Sequence, residues 1–199
     1  MFCKIFLLLK EEGIRGLFKR VFNKTLQVYY LYEIKLTDEM ELEHEKEFLS
    51  LSLEVLTAVC DADINEITKE KLDILKKRLD LKGVQDYFFL ESTFIAGHYG
   101  LAFENNQDNP YINKYLKIKK GESYLFDDYT LARYRGKGFH KKSILSRLEM
   151  SRKKGCDKSF VIIYSINQAS QKSYEKLGFI YQRKLYEIKP FKIILYGNK

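Results

Sequence analysis

The sequence predicts an α+β domain built on one mixed, mostly antiparallel sheet with flanking helices. Three observations carry this. From about residue 50, strand-like and helically spaced segments follow one another in the order β α β β (α) β α β α β β. "SYLFDDYTL", "GFHKKSILSRLEMSRKKG" and "KSFVIIYSI" make a strand–helix–strand unit around residues 124–165, which implies a parallel crossover. "DYFFLES", followed at once by "TFIAGHYGLAF", reads as an antiparallel hairpin.

Taken in order, residues 1–27 look like an appendage. Phe2, Ile5, Phe6, Leu9, Leu17, Phe18, Val21 and Phe22 recur at helical spacing, with Gly13 and Gly16 interrupting. Six basic residues stand against two acidic ones there, a net +4. Such a segment can pack on the domain or on a second copy of the chain, or lie on an anionic membrane. "VYYLYEIKL" (residues 28–36) suits a short strand, and "TDEMELEHEKEF" (residues 37–48) a solvated helix or linker. The composition shift places a boundary here, dividing an N-terminal extension (1–48) from the domain proper (49–199). "LSLEVLTAV" reads as a strand, and "DADINEITKEKLDILKKRLDL" as a helix with Ile64, Ile67, Leu72, Leu75 and Leu79 on one face, closed by Gly83. "NPYINKYLKIKKGE" is a helix or irregular connection. The crossover helix ends at Gly155 behind a basic last turn. The apolar run "KSFVIIYSI" suits a central strand. "NQASQKSYEKLG" is a short helix closed by Gly178, and "FIYQRKLYEI" and "FKIILYG" are strands hinged at Lys189–Pro190.

The chain of 199 residues has 45% hydrophobic and 31% charged residues and a net charge of +8. That balance belongs to a globular protein with a full core and favours anionic partners. Cys3, Cys60 and Cys156 are isolated, so neither a disulfide framework nor a zinc site is expected, and a cytoplasmic location is. No run reaches the ~18 apolar residues of a membrane-spanning helix, and "MFCKIFLLLKEEG" lacks the cleavage site of a signal peptide. Lysines 141, 142, 153, 154 and 158 could form a phosphate patch, but no nucleic-acid motif accompanies them, and a solvated face is the simpler reading.

"RYRGKGFHKKS", Arg133 to Ser143, carries the chemistry. Gly136 and Gly138 let the backbone turn tightly and approach a ligand. The helix that follows offers unpaired N–H groups and the positive end of its dipole. Together with Arg135, Lys137 and Lys141 they suit a phosphate. The spacing matches neither the P-loop nor the dinucleotide fingerprint.

The segment from about residue 50 onward resembles the GNAT superfamily of acyl-CoA-dependent N-acyltransferases. In "DDYTLARYRGKGFHKKSILSRLE", Arg133, Gly136 and Gly138 take the [QR]-x-x-G-x-[GA] positions. In "FVIIYSINQASQKSYEKLGF", Asn167, Ser170, Tyr174, Lys176, Gly178 and Phe179 match the family's N-x-x-[AS]-x-x-x-Y-x-K-x-G-F spacing. "FIAGHYGLAF" has the look of its third strand. One departure is Ala132, where a proline is usual.

The resemblance implies a GNAT fold with a splayed pair of parallel strands holding acetyl-CoA. The pantetheine arm would lie along Tyr129, Thr130 and Leu131, with a backbone N–H near Leu131 facing the thioester carbonyl. Backbone N–H groups from Arg135, Gly136, Lys137, Gly138 and Phe139 would bind the pyrophosphate, and Asn167 would meet the pantetheine. Tyr174 is the candidate general acid. Glu122 and Asp128 are the leading candidates for the base. Asp127 points to the opposite strand face from Asp128, and His98 and Glu104 are further options. His140 reads as a loop-supporting residue. The implied reaction is transfer of an acetyl group to a primary amine of a small acceptor, such as an amino sugar or glycan precursor. The alternative is a GNAT-fold module that binds CoA without turnover. Homodimerisation and peripheral membrane contact through residues 1–25 complete the expected partners.

Overall fold

A computed structural model describes residues 25–42, 45–56, 67–92, 94–103, 115–191 and 193–198. The expected N-terminal helix, the first turns of the 61–81 helix, the first six residues of the 109–122 connection and Glu104 lie outside the described residues.

Among the described residues, eight strands form one sheet: β1 (Leu26–Lys35), β2 (Phe48–Ser50), β3 (Val84–Glu91), β4 (Phe94–Ala102), β5 (Glu122–Thr130), β6 (Lys158–Tyr164), β7 (Ile180–Ile188) and β8 (Ile193–Tyr196). Their spatial order is β2-β3-β4-β5-β6-β1-β7-β8. Only β5 and β6 run parallel; every other neighbouring pair is antiparallel. The described helices are α1 (Lys69–Leu79), α2 (Phe139–Lys153) and α3 (Gln168–Glu175).

Two local outcomes differ from the sequence reading. "LSLEVLTAV" is not a strand where it is described. Ser52 Oγ accepts the Val55 N–H at 3.2 Å, and residues 53–56 take a helical turn. A serine that satisfies the first orphan N–H starts a helix more readily than it continues a strand. The second concerns the boundary at 48/49. β1 lies well before it, yet sits in the middle of the sheet, paired with β6 over Tyr29–Lys35 and with β7 over Leu26–Glu33. Leu31, Tyr32 and Ile34 are buried there. The sheet therefore begins at Leu26, and the composition shift at residues 37–48 marks a connection within the fold.

α1 starts at Thr68, whose hydroxyl accepts the Lys71 N–H at 3.2 Å. α2 ends in a Schellman arrangement: Gly155 has φ +77°, its N–H donates to the Arg152 carbonyl and the Cys156 N–H donates to that of Ser151. Arg78 of α1 bonds to Asp86 on β3, whereas Phe139 of α2 packs edge-on against Phe89, three residues further along that strand. Odd spacing along a strand means opposite faces, so the two helices cover opposite sides of the sheet.

Candidate active site

The site is built where β5 and β6 part. Their parallel pairing runs only from Glu122–Lys158 to Leu125–Val161, tied by a buried hydrogen bond between the Ser123 and Ser159 hydroxyls at 2.5 Å. Beyond Leu125, β5 stays with β4 while β6 stays with β1, and a wedge opens between them. The β4–β5 ladder is itself interrupted between His98 and Gly100, and Asp127 takes φ +56°. This bulge leaves Phe126 and Asp127 both on the Arg78 side and turns Asp128 toward Arg147. β4 can follow the distortion because of its glycines. A Cβ on Gly100 would meet the Phe126 ring at 2.6 Å, and one on Gly97 would meet the Tyr129 carbonyl oxygen at 2.5 Å.

A cleft of about 620 Å³ lies along the wedge and the loop that follows it. Of the expected cofactor-binding residues, Tyr129, Thr130, Arg135, Gly136, Gly138, Phe139 and Asn167 line it. Leu131 and Lys137 do not. The Leu131 N–H, expected to face a thioester, donates instead to the Ala96 carbonyl at 2.9 Å within the ladder to β4. Alternation along that ladder turns the Thr130 N–H the other way, toward the wedge. Lys137 leans out to Glu91 at 3.3 Å.

Gly136 and Gly138 have φ of +81° and +87°, and a Cβ on either would point into open space. Backbone conformation, not crowding, requires glycine here. Gly138 caps α2, whose first internal bond is Lys142 N–H to the Gly138 carbonyl. The N–H groups just inside that end therefore have no intrahelical acceptor, and no acidic side chain sits in the first turn. With Arg135 and Lys141 also lining the cleft, the charge of this end suits an anion such as a pyrophosphate.

Beneath the wedge lies a buried ionic network. Asp128 receives two bonds from Arg147, Nη1 to Oδ1 at 2.6 Å and Nη2 to Oδ2 at 2.9 Å. Its Oδ2 also accepts the Tyr174 hydroxyl at 2.5 Å and contacts His140 Nε2 at 3.0 Å. Arg147 and Tyr174 are both 0% exposed. Burial alone would raise the Asp128 carboxyl, but the Arg147 charge and the bonds from His140 and Arg147 outweigh it and hold it far below the usual carboxylate range. Burial and the Asp128 charge push the Tyr174 phenol well above its ordinary value. His140 reaches the cleft wall, with its ring edge-on to Tyr174.

On the opposite face, Asp127 is paired with Lys71 and with Arg78 Nη1 at 2.6 Å, and Arg78 also holds Asp86 at 3.0 Å. Burial opposes ionisation of Asp127, but the two cations win and its carboxyl is lowered. His98, opposite Tyr129 in register and stacked on its ring at 5.5 Å, is 3% exposed. Its Nδ1 has no hydrogen-bond partner among the described residues. Burial, helped by Lys71, lowers its imidazole to about 4, so it is neutral at pH 7.

Glu122 does not belong to this constellation. It stands at the far end of β5, six residues or about 20 Å along the strand from Asp128, where β5 and β6 are still joined. Its Oε2 accepts the Lys119 N–H at 2.9 Å. Arg147, Arg78 and Lys71 were not singled out in the sequence. One signal for Arg147 was available: it falls on the stripe Ser143, Ile144, Arg147, Leu148, Ser151, a lone cation on a buried helix face.

Residues 62–179, more than half of the chain, match the family model described as Acetyltransferase (GNAT) family. The chain belongs to the GNAT acetyltransferase family. Solved GNAT structures share its fold. A GNAT-family acetyltransferase from Colwellia psychrerythraea aligns with a TM-score of 0.58 at 15% identity, over 98% of this chain and 72% of its own. A GNAT-family protein from Novosphingobium aromaticivorans aligns at 0.54 and 14% identity, over 81% of this chain, which spans 62% of that protein's length. AAC(6')-Iy, held in complex with the bisubstrate analogue CoA-S-monomethyl-acetylneamine, aligns at 0.51 and 16% identity, over 67% of this chain and 89% of its own. No curated protein matches the chain in sequence. The GNAT cofactor, CoA, fits the cradle on the grounds already given: open glycine positions, helix N–H groups and cations lining the cleft.

Proposed function

We propose that this GNAT protein transfers the acetyl group of acetyl-CoA to a primary amine of a small acceptor by direct attack. The observation that carries this is the wedge: it joins an anion cradle at one end to a buried proton-holding network at the other, along one continuous cleft. CoA would supply the activated thioester. The chain's own groups would do the rest. N–H groups from Gly138 to Lys141 would hold the pyrophosphate, and the Thr130 N–H would stabilise negative charge developing on the thioester oxygen.

Attack of the amine nitrogen on the carbonyl carbon forms the amide bond, and the carbon–sulfur bond breaks. The amine gives up a proton and the sulfur gains one. Tyr174 is the donor: its raised phenol stays protonated across the neutral range, and Asp128, fixed by Arg147, orients it. Asp127 and Asp128 are poor bases, because each is lowered and bound by cations. His98 is neutral, but burial lowers its imidazole to about 4 and it lies off the cleft lining, so it also takes a proton poorly, and water in the cleft would carry the amine proton away. The net charge of +8 favours an acceptor that carries negative charge, such as an amino sugar linked to phosphate.

Release of free CoA in the presence of a panel of amines tests this reading. Turnover is expected with at least one amine, and Tyr174→Phe is expected to reduce kcat at least tenfold with little change in CoA affinity. Acetyl-CoA binding without release for any amine would favour a binding module. Unchanged kcat in Tyr174→Phe would remove the tyrosine from the chemistry.

A further inference from the structure

A buried proton donor works once unless its proton is returned. Tyr174 is 0% exposed, and its ring is flanked edge-on by Phe179 at 4.9 Å and by His140 at 5.5 Å. Among the described residues its hydroxyl has two polar neighbours, Asp128 Oδ2 at 2.5 Å and Arg147 Nη2 at 3.5 Å. A guanidinium keeps its protons, so Arg147 is no source. The returning proton therefore crosses Asp128 Oδ2. Three donors surround that oxygen: the Tyr174 hydroxyl, Arg147 Nη2 at 2.9 Å and His140 Nε2 at 3.0 Å. A carboxylate oxygen offers about two lone-pair sites, so a cleft water finds none free there. A proton must arrive along a bond already made, and only the His140 bond leads outward. An ionised carboxylate only accepts, so Nε2 carries a proton. The His140 side chain lines the cleft and is 24% exposed. Its remaining neighbour is the Tyr99 ring, stacked at 6.5 Å, whose hydroxyl is occupied with Thr130 Oγ1 at 2.8 Å.

We propose that His140 returns the proton to Tyr174 through Asp128, a positioning role that rests on Tyr174 being the donor to sulfur. The step balances. Tyr174 is left as a phenolate once its proton has gone to the sulfur. The Nε2–H bond of His140 then breaks as an O–H bond forms at Asp128 Oδ2, and that oxygen passes the proton on to the phenolate in the same movement. Asp128 does not retain it. The carboxyl is held low in spite of its burial, by the Arg147 charge, while burial and the Asp128 charge hold the phenol high. An imidazole can take a proton and pass one on, which makes it a shuttle. The ring regains its proton from water in the cleft, the same water that carries away the proton of the amine. A turnover therefore consumes no proton.

Proton exchange in the resting full-length protein tests the path without any acceptor. The Tyr174 hydroxyl, bonded to an ionised carboxylate, should give a low-field proton NMR signal, identified by its loss in Tyr174→Phe. His140→Gln keeps an N–H for Asp128 but cannot take up a proton and pass one on. It should slow exchange of that signal with water about tenfold, or sharpen a signal that exchange broadens in the wild type. With an amine that turns over, kcat of His140→Gln should fall about tenfold while KM for acetyl-CoA stays within about twofold. His140→Ala gives a second variant, and free imidazole in the buffer should restore its exchange and its kcat. Exchange in His140→Gln as fast as in the wild type would overturn the proposal. So would wild-type kcat in that variant, because the histidine would then only hold Asp128 in place. Exchange that depends on His140, with no CoA released for any amine, would leave the path standing and sink the acetyl-transfer reading instead.

Discussion

At the scale of single residues, the wedge depends on which neighbours hold each charge. Asp127 and Asp128 are consecutive and chemically identical. One meets Lys71 and Arg78, the other Arg147, His140 and Tyr174. Both remain ionised because cations outweigh the cost of burial, and both are therefore spent as proton acceptors. His98 has the opposite balance. Its imidazole falls to about 4 in the fold against ~6.5 in an unfolded chain. A folded state that refuses a proton is stabilised above the unfolded pKa and loses that stability as pH falls. Stability should therefore drop between about pH 6.5 and 4, with a His98 share of at most about 3 kcal/mol. Urea midpoints of the wild type and His98→Gln across that range check this. Parallel pH slopes for the two proteins would show that His98 is not held neutral.

At the scale of elements, the loop and helix around Gly136 and Gly138 were readable in the sequence because their requirement is local. A left-handed backbone needs glycine wherever it occurs, and a helix N-terminus binds anions whatever lies beyond it. Gly138 takes φ +87° as the cap of α2. Gly138→Ala should cost about 1–2 kcal/mol in the left-handed conformation, or else rotate the first-turn N–H groups out of the cradle. Calorimetric titration with CoA is expected to show at least tenfold weaker binding, and unchanged affinity would place the pyrophosphate elsewhere. Tyr174 was found through its spacing in a motif. Its partner Arg147 was not singled out and His140 was read only as supporting the loop, because the contacts that unite them with Tyr174 run between α2, α3 and β5. Glu122 shows the converse error. Parity along the strand put it on a plausible face, but its distance from the bulge removes it from the wedge.

At the scale of the whole molecule, β1 decides the architecture. It lies between β6 and β7, both more than a hundred residues later in the chain, and buries Leu31, Tyr32 and Ile34. Removing residues 1–48 would delete an inner strand and leave β6 and β7 without their shared partner. The truncated protein is expected to lose its cooperative thermal transition, followed by circular dichroism. A normal melt would mean that the later strands close up without β1.

By itself the sequence determined the type of sheet, the crossover, the glycine-bearing loop ahead of α2 and the family, because periodicity, glycine placement and motif spacing are properties of short stretches. Only the tertiary structure decided that the sheet starts at Leu26, that Leu131 is turned away from the wedge and Thr130 toward it, and that Asp128, His140, Arg147 and Tyr174 form one buried network. Those outcomes depend on which distant strands pair, and in what register, and the free energy of that pairing comes from contacts made only once the chain has closed on itself.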